Sequence, residues 1–328
     1  MAVIATGFFD GVHLGHRSVV GQLVSAARER GTDSVIVTFR PHPRAVLQQD
    51  APQLRLLTSF SEKRELLLSL GVDRVEVIQF SREFAGLTAE QYIRDWLVGR
   101  FGCTAMVFGY DNRVGSDGAD ASAVRGIASR LGVELIPCTA LGDISSTKIR
   151  SALSAGEVEA ASAMLGYDYF LNGVVVSGNR IGRTLGFPTA NMQLYEPLKL
   201  IPENGVYLVR VEFPTLAGES GLVPAFPVAP GITPVSCGVS GADRMNQGAR
   251  VLYGMCNIGS RPTVNLGANI TIETNIFGFD EDIYGLPLRI SFMKRLRGET
   301  RFSSTAALRD QLAADRAACL SILGQIAK

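Results

Sequence analysis

Two imidazoles three residues apart, His13 and His16, lie in a glycine-punctuated stretch, Gly7-Phe8-Phe9-Asp10-Gly11-Val12-His13-Leu14-Gly15-His16. An apolar run, Ala2-Val3-Ile4-Ala5, leads into it. Val19, Val20, Leu23, Val24 and Ala27 follow at helical spacing, with Gly31 as the stop. The order is therefore strand, turn, helix. Residues at i and i+3 share a helix face, so both rings can donate to one group. The free N–H groups and positive end of the helix favour an anion there, and a phosphate suits all of these donors. A glycine turn whose histidines only cap the helix is the other reading of the same residues. The chain's 3 histidines are His13, His16 and His42, so chemistry that needs imidazole is confined to this end.

Such a turn needs neighbouring strands to hold it. Ser34–Phe39, Arg74–Ile78, Ala105–Phe108 and Val133–Ile136 read as strands. Helices alternate with them: Phe60 to about Leu70 behind a capping box at Ser59–Glu62, Ala89 to about Val98 behind one at Thr88–Gln91, and Ala121–Leu131. Short helical stretches follow at Ser146–Ser154 and Glu157–Leu165. This alternation predicts a doubly wound parallel α/β sheet of Rossmann type, with ligands at the carboxyl ends of its strands. Near Gly166 the pattern changes to β-rich runs separated by Gly, Pro and Asn: Phe170–Val176, Val206–Phe213, Val251–Asn257, Ile270–Phe277 and Leu288–Leu296. They predict a small antiparallel β-barrel with an amphipathic helix, Thr305 to about Ile326, against it. The boundary is expected between about 160 and 172. Pro214–Gly248, rich in Gly, Pro and Ser and almost uncharged, reads as a long loop or insertion.

A length of 328 residues fits two domains, and a formal net charge of +1 argues against a nucleic-acid surface. Cys103, Cys138, Cys237, Cys256 and Cys319 have no metal-ligand spacing, and their odd number and scatter suit reduced thiols in a cytoplasm. No apolar segment long enough to cross a membrane occurs. Oligomeric state is not legible.

Four motifs in the first half carry a resemblance. The H-x-G-H of His13–His16, Thr38-Phe39-Arg40-Pro41-His42-Pro43, Gly109-Tyr110-Asp111 and Ile144-Ser145-Ser146-Thr147-Lys148-Ile149-Arg150 resemble, in order, the signatures of bacterial FAD synthetases. In the second half, Gly178-Asn179-Arg180-Ile181-Gly182-Arg183-Thr184-Leu185-Gly186-Phe187-Pro188-Thr189-Ala190-Asn191 resembles the G-x-x-x-G-R-x-L-G-F-P-T-A-N segment of riboflavin kinases. Gly205-Val206-Tyr207, Asn257–Thr263 and Arg295–Glu299 match further elements of that family. The chain is thus similar to the bifunctional riboflavin kinase/FAD synthetase family over nearly its whole length. The resemblance implies an FMN adenylyltransferase domain at 1–165 and a riboflavin kinase domain at 166–328. ATP is the co-substrate, Mg²⁺ the metal, riboflavin and FMN the substrates, and FAD the product. No nucleic-acid or membrane partner is expected.

It also implies roles. His13, His16 and Arg150 would stabilise the triphosphate during adenylyl transfer, with Gly7, Phe8, Gly15, Ser145, Ser146 and Thr147 binding phosphate. The nucleophile, an FMN phosphate oxygen, is already anionic, so fixed donors matter more than a base. Ser145–Thr147 also reads as an ordinary helix cap. In the second half Gly182, Arg183, Gly186, Pro188, Thr189 and Asn191 would close on ATP, with neutral Thr189 and Asn191 oxygens for Mg²⁺. Glu273 would be the general base for the riboflavin 5′-hydroxyl. Tyr110, Asp111 and Arg297 are the expected flavin contacts. Asp280 and Asp282 read as an acidic turn capping a hairpin.

Two departures stand out. The loop usually written G-x-N/D-F-x-F-G has Asn112 and Val114 at its phenylalanine positions, which leaves Tyr110 or Arg113 to face the ring. Asn275 stands where the family often has histidine. The competing readings are a kinase with a weakened first half, a transferase acting on another phosphate, and a flavin-binding regulator. The paired signatures disfavour the first two, and the missing helix-turn-helix pattern and basic stripe disfavour the third. A P-loop is absent.

Overall fold

The computed structural model describes all residues except 48–53, 110–112, 139–141, 179–180, 214–250, 263–267 and 327–328. It divides into two compact units, Met1–Lys148 and Ile149–Lys328. The expectations placed on Tyr110, Asp111 and the Pro214–Gly248 insertion lie outside the described residues.

The first unit contains β1 (Ala2–Thr6), α1 (Leu14–Arg30), β2 (Asp33–Arg40), α2 (Pro43–Leu47), α3 (Phe60–Ser69), β3 (Arg74–Gln79), α4 (Arg82–Ala85), α5 (Ala89–Gln91), β4 (Cys103–Gly109), α6 (Ala121–Arg130) and β5 (Glu134–Cys138). The strand order is β3-β2-β1-β4-β5, and every neighbouring pair is parallel. Alternate residues of β1 go to opposite faces. Ala2 and Ile4 pack with Met106, Ile93 and Val124, whereas Val3 and Ala5 pack with Leu23, Val24 and Leu67. A strand buried on both faces needs the apolar run that the sequence shows. Both expected capping boxes form, Ser59 with Glu62 and Thr88 with Gln91. The helix expected up to Val98 changes character midway, because Tyr92–Val98 is π-helical. The wider turn puts the Gly99 N–H on the Arg94 carbonyl at 2.9 Å, and a Cβ on Gly99 would lie 2.8 Å from the Asp95 carbonyl oxygen.

The order of strands reverses at β1, between β2 on one side and β4 on the other. Doubly wound sheets bind ligands outside the carboxyl ends of strands at such a point. The histidine turn leaves β1 there.

Two helices, α7 (Ser146–Ser154) and α8 (Val158–Leu165), precede the barrel strands. The compact units part at Lys148/Ile149, ahead of the change of pattern near Gly166. Within the second unit α8 packs on the last barrel strand, and the Leu153 carbonyl accepts a 3.0 Å hydrogen bond from the Glu203 N–H. The change at Gly166 marks the approach to the first barrel strand, whereas these helices already belong to the barrel's packing.

The barrel comprises β6 (Phe170–Val176), β7 (Ala190–Leu194), β8 (Gly205–Glu212), β9 (Val251–Pro262), β10 (Ala268–Ile276) and β11 (Pro287–Arg297). It closes in the order β10-β7-β6-β11-β8-β9, with all pairs antiparallel. One turn, α9 (Ile181–Thr184), interrupts the glycine-rich connection between β6 and β7, and α10 (Thr305–Ile326) ends the chain. Leu312, Cys319, Ile322 and Leu323 of α10 pack with Phe187, Val206, Leu208 and Met255. Strand β7 is not among the β-rich runs read from sequence. It is short, and its Asn191 and Gln193 give it little strand propensity. Pairing with β6 and β10 makes it a strand.

Candidate active sites

The turn after β1 is backbone under strain. Phe9 and Val12 take φ values of 52° and 40°, beside Gly11 at 81°. A left-handed β-branched residue is costly, and such outliers persist only where the surroundings over-determine them. Asp10 supplies much of that determination. Buried at 4 % exposure, its carboxylate accepts the Leu57 N–H at 3.0 Å and the Thr58 N–H at 3.1 Å. The Gly11 N–H returns a 3.0 Å bond to the Thr58 hydroxyl. The turn is thereby tied to the segment that starts α3.

His13 is the N-cap of α1: its Nδ1 accepts the His16 N–H at 3.4 Å. Capping and phosphate binding are therefore not exclusive, because an Nδ1 that accepts leaves the proton of a neutral ring on Nε2. The two imidazoles stack, with ring centroids 3.7 Å apart and planes at 17°. Burial lowers the His13 pKa to about 4 and holds His16 well below its ordinary value; for His16 the neighbouring His13 and Lys63 act in the same direction. The pair is thus neutral near pH 7. Among the described residues His16 Nδ1 is buried without a hydrogen-bond partner. The turn holds donors for an anion without carrying cations of its own. A Cβ on Gly15 would lie 3.2 Å from the His13 ring, so glycine there lets the rings stack.

The second expected phosphate segment comes to the same turn. The Ser146 hydroxyl donates to the Asp10 carbonyl at 3.0 Å. Ser145 caps α7 through the Lys148 N–H at 3.3 Å, and Thr147 is exposed beside it. Arg150 follows on α7, half-buried. Phe8 stacks edge-on against His42 at 3.9 Å, which brings the Pro41-His42-Pro43 turn alongside. Arg113 is spent on its own loop, 3.4 Å from the Gly118 carbonyl and 3.9 Å from Asp120.

Sequence reasoning missed Lys63. Its side chain is buried at 3 % exposure, and its ammonium donates to the Phe8 carbonyl at 2.8 Å and the Thr38 hydroxyl at 3.1 Å. The available signal was its place one turn into a capped helix, which reads as a solvated face.

The barrel site is built by register. Glu273 on β10 faces Asn191 on β7 and Asn257 on β9. Directly opposed residues share a face of a sheet, so the three side chains form one row. Glycines shape the space beside it. A Cβ on Gly178 would overlap the Asn191 amide, and one on Gly182 would strike the Phe187 carbonyl. The Phe187 N–H bonds back to the Gly182 carbonyl at 2.8 Å, closing a tight loop through left-handed Gly186 at φ 84°. Arg183 and Pro188 are exposed on that loop, and Thr189 is half-buried next to Asn191. The Asn275 amide donates to the Pro188 carbonyl at 2.7 Å, so the residue in the histidine position ties the glycine-rich segment to β10.

Arg297 is paired within its own unit. Its guanidinium grips Asp315 of α10, with contacts of 2.7 to 3.1 Å, and Gln311 adds a 2.9 Å bond. Asp282 accepts the Tyr284 N–H at 3.1 Å, as a turn cap does. Among the described residues no three His, Cys, Asp or Glu side chains gather to hold a metal.

Residues 1–153 match the FAD synthetase family model, and residues 165–323 match the riboflavin kinase model. The two units are therefore a nucleotidyltransferase-type sheet and a flavokinase-type barrel. A Bacillus subtilis bifunctional riboflavin kinase/FMN adenylyltransferase is 32% identical over 100% of this chain and 94% of its own length. An Escherichia coli K12 protein of the same name is 31% identical, covering 98% and 93%. In three dimensions, a Streptococcus pneumoniae protein described as a macrolide-efflux protein superposes with a TM-score of 0.80 at 30% identity, over 96% of this chain and 92% of that one. Among the described residues of the present chain no helix is long and apolar enough to cross a membrane. The chain belongs to the bifunctional riboflavin kinase/FMN adenylyltransferase family.

Proposed function

We propose that the chain makes FMN from riboflavin on the barrel and FAD from FMN on the parallel sheet, each step consuming ATP. The observation that carries this reading is that the fold brings each set of motif residues together: the Ser146 hydroxyl bonds the Asp10 carbonyl in the histidine turn, and strand register sets Glu273 beside Asn191 and Asn257.

On the sheet, an FMN phosphate oxygen attacks the α-phosphorus of ATP, and the bond to the β-phosphate oxygen breaks as pyrophosphate leaves. The attacking oxygen needs no base. His13 and His16 act as neutral donors, and the strained turn fixes them before the reaction begins. Ser145, Ser146, Thr147 and Arg150 hold the departing phosphates, with Gly7, Phe8 and Gly15 allowing close approach. Tyr110 and Asp111 are assigned to the flavin.

On the barrel, the riboflavin 5′-oxygen attacks the γ-phosphorus, ADP leaves, and Glu273 takes the hydroxyl proton. Gly182, Arg183, Gly186 and Pro188 shape the loop over the phosphates. Thr189 and Asn191 offer neutral oxygens, and no three-residue cluster of His, Cys, Asp or Glu is formed by the described residues. That donor set fits Mg²⁺, which keeps several waters and takes other ligands from nucleotide phosphates. Bound there, it would neutralise charge on the transferring phosphate. Arg297, held by Asp315 of α10, is assigned to the flavin. The reading places the enzyme in the cytoplasm, which suits its buried, unbridged Cys103, Cys138, Cys256 and Cys319.

Purified protein incubated with riboflavin, ATP and Mg²⁺ should yield FMN and then FAD on chromatography. FMN without FAD would overturn the sheet's role, and no FMN would overturn the barrel's.

A further inference from the structure

Lysine is almost never fully buried without a partner carboxylate. Lys63 is buried, yet its ammonium meets two neutral oxygens, Phe8 O at 2.8 Å and Thr38 Oγ1 at 3.1 Å, and lies 3.9 Å from the centre of the Phe8 ring. The nearby Asp10 carboxylate is committed to Leu57 and Thr58. Holding a buried cation on neutral oxygens, with Asp10 as the nearby negative charge, is expensive, and an apolar side chain would fill the same space at less cost. The position is therefore explained by something that only a cation with directed N–H groups supplies.

Phe8 immediately precedes the left-handed stretch Phe9–Val12. Its carbonyl also accepts the Thr38 hydroxyl at 3.3 Å, so Lys63, Thr38 and Phe8 form a closed triangle beneath the turn. Asp10 pins the middle of that turn to Leu57 and Thr58, and Lys63 pins its start at Phe8. We propose that Lys63 is a positioning residue for adenylyl transfer, clamping the Phe8 carbonyl so that the strained turn presents His13 and His16 to the nucleotide. The inference rests on the reading of that turn as the adenylyl-transfer site.

The charges facing Lys63 fit this role. Asp10 from the turn favours the ammonium, while burial is the larger influence and brings its pKa down to about 8. From α1, His16 feels Lys63 as a charge that opposes its own protonation, as does His13. On its own helix Glu62 is turned back to the Ser59 N–H, and from the next turn His42 packs on the other partner of Lys63, the Phe8 ring. A charged Lys63 thus fixes the turn and adds to the burial that disfavours protonation of His16.

The test uses the full-length chain. In Lys63→Met, kcat for FMN-to-FAD conversion should fall tenfold to a hundredfold, with the KM for ATP changed less than threefold. Riboflavin-to-FMN conversion in the same preparation should be unchanged, and the emission of Trp96, the sole tryptophan, should match that of the parent chain and report an intact first unit. The parent kcat/KM for adenylyl transfer should decline above pH about 8, and this limb should be absent in Lys63→Met. Unchanged kcat in the variant, or a raised KM at constant kcat, overturns the proposal. So does a parent profile flat to pH 9.5, a measurement that needs no substitution and stands even if the variant does not fold. Failure of the parent chain to form FAD from FMN would instead overturn the reading on which the proposal rests.

Discussion

The two proposed sites hold their assigned groups in opposite ways. On the sheet the groups sit on an irregular turn, with left-handed Phe9 and Val12, and buried Asp10 and Lys63 holding it from below. On the barrel they sit on regular strands, where the register sets Asn191, Glu273 and Asn257 side by side. The chemistry accounts for the difference. Adenylyl transfer starts from an oxygen that is already anionic, so it needs donors converging from several directions, which a turn at a strand end provides. Phosphorylation of a hydroxyl needs one base in a fixed place, and a strand provides that without strain.

The sharpest way to break this contrast is Glu273→Gln. It should lower FMN formation by about 10²–10⁴-fold, the range for loss of a general base, while FMN-to-FAD conversion continues at the parent rate. Next in size is His16→Ala, expected to cost about 3–4 kcal/mol of adenylyl-transfer barrier with riboflavin phosphorylation intact, as read by rate assays on each substrate. If either substitution removed both activities from a folded chain, the division of labour would be wrong.

The buried histidines give the sheet unit a pH signature. His13 ionises near 4 when folded and near 6.5 when unfolded, so between these values the unfolded chain binds more protons. Stability of the first unit should then be full above about pH 6.5 and fall as the pH drops toward 4. The loss from His13 alone would be up to about 3 kcal/mol. Thermal unfolding followed by Trp96 emission at pH 7 and 4.5 measures it, and His13→Asn should remove the His13 share of the dependence while that of His16 remains. The smallest effect is expected from Gly178→Ala. Its methyl group would displace the Asn191 amide, at a cost of about 1–3 kcal/mol, seen as a raised KM for ATP in the kinase assay alone.

Much of this was legible in the sequence because local and global signals agree. The apolar β1, the Ser59–Glu62 capping box and the Gly31 stop each point to the element observed. The histidine pair was legible because its spacing and its place after a strand are local facts. Lys63 was not, because its partners, Phe8 and Thr38, lie far away in sequence and its own neighbourhood reads as a helix surface. Strand β7 was missed because its identity comes from two barrel neighbours rather than from its own polar residues. Arg297 shows another limit: its ion pair with Asp315 joins it to a helix that the motif does not contain, so that partner could not be read from the motif.

The strand orders carry a consequence for how the chain is made. In the sheet the first strand synthesised is the central one, and β2, β3, β4 and β5 each add to an edge that already exists. The sheet can thus grow outward as the chain leaves the ribosome. The barrel cannot, because β6 has β11 as one of its two neighbours, and the last strand must arrive before the ring closes. The FAD-forming half is therefore able to fold while the FMN-forming half is still an open ribbon with unpaired edges.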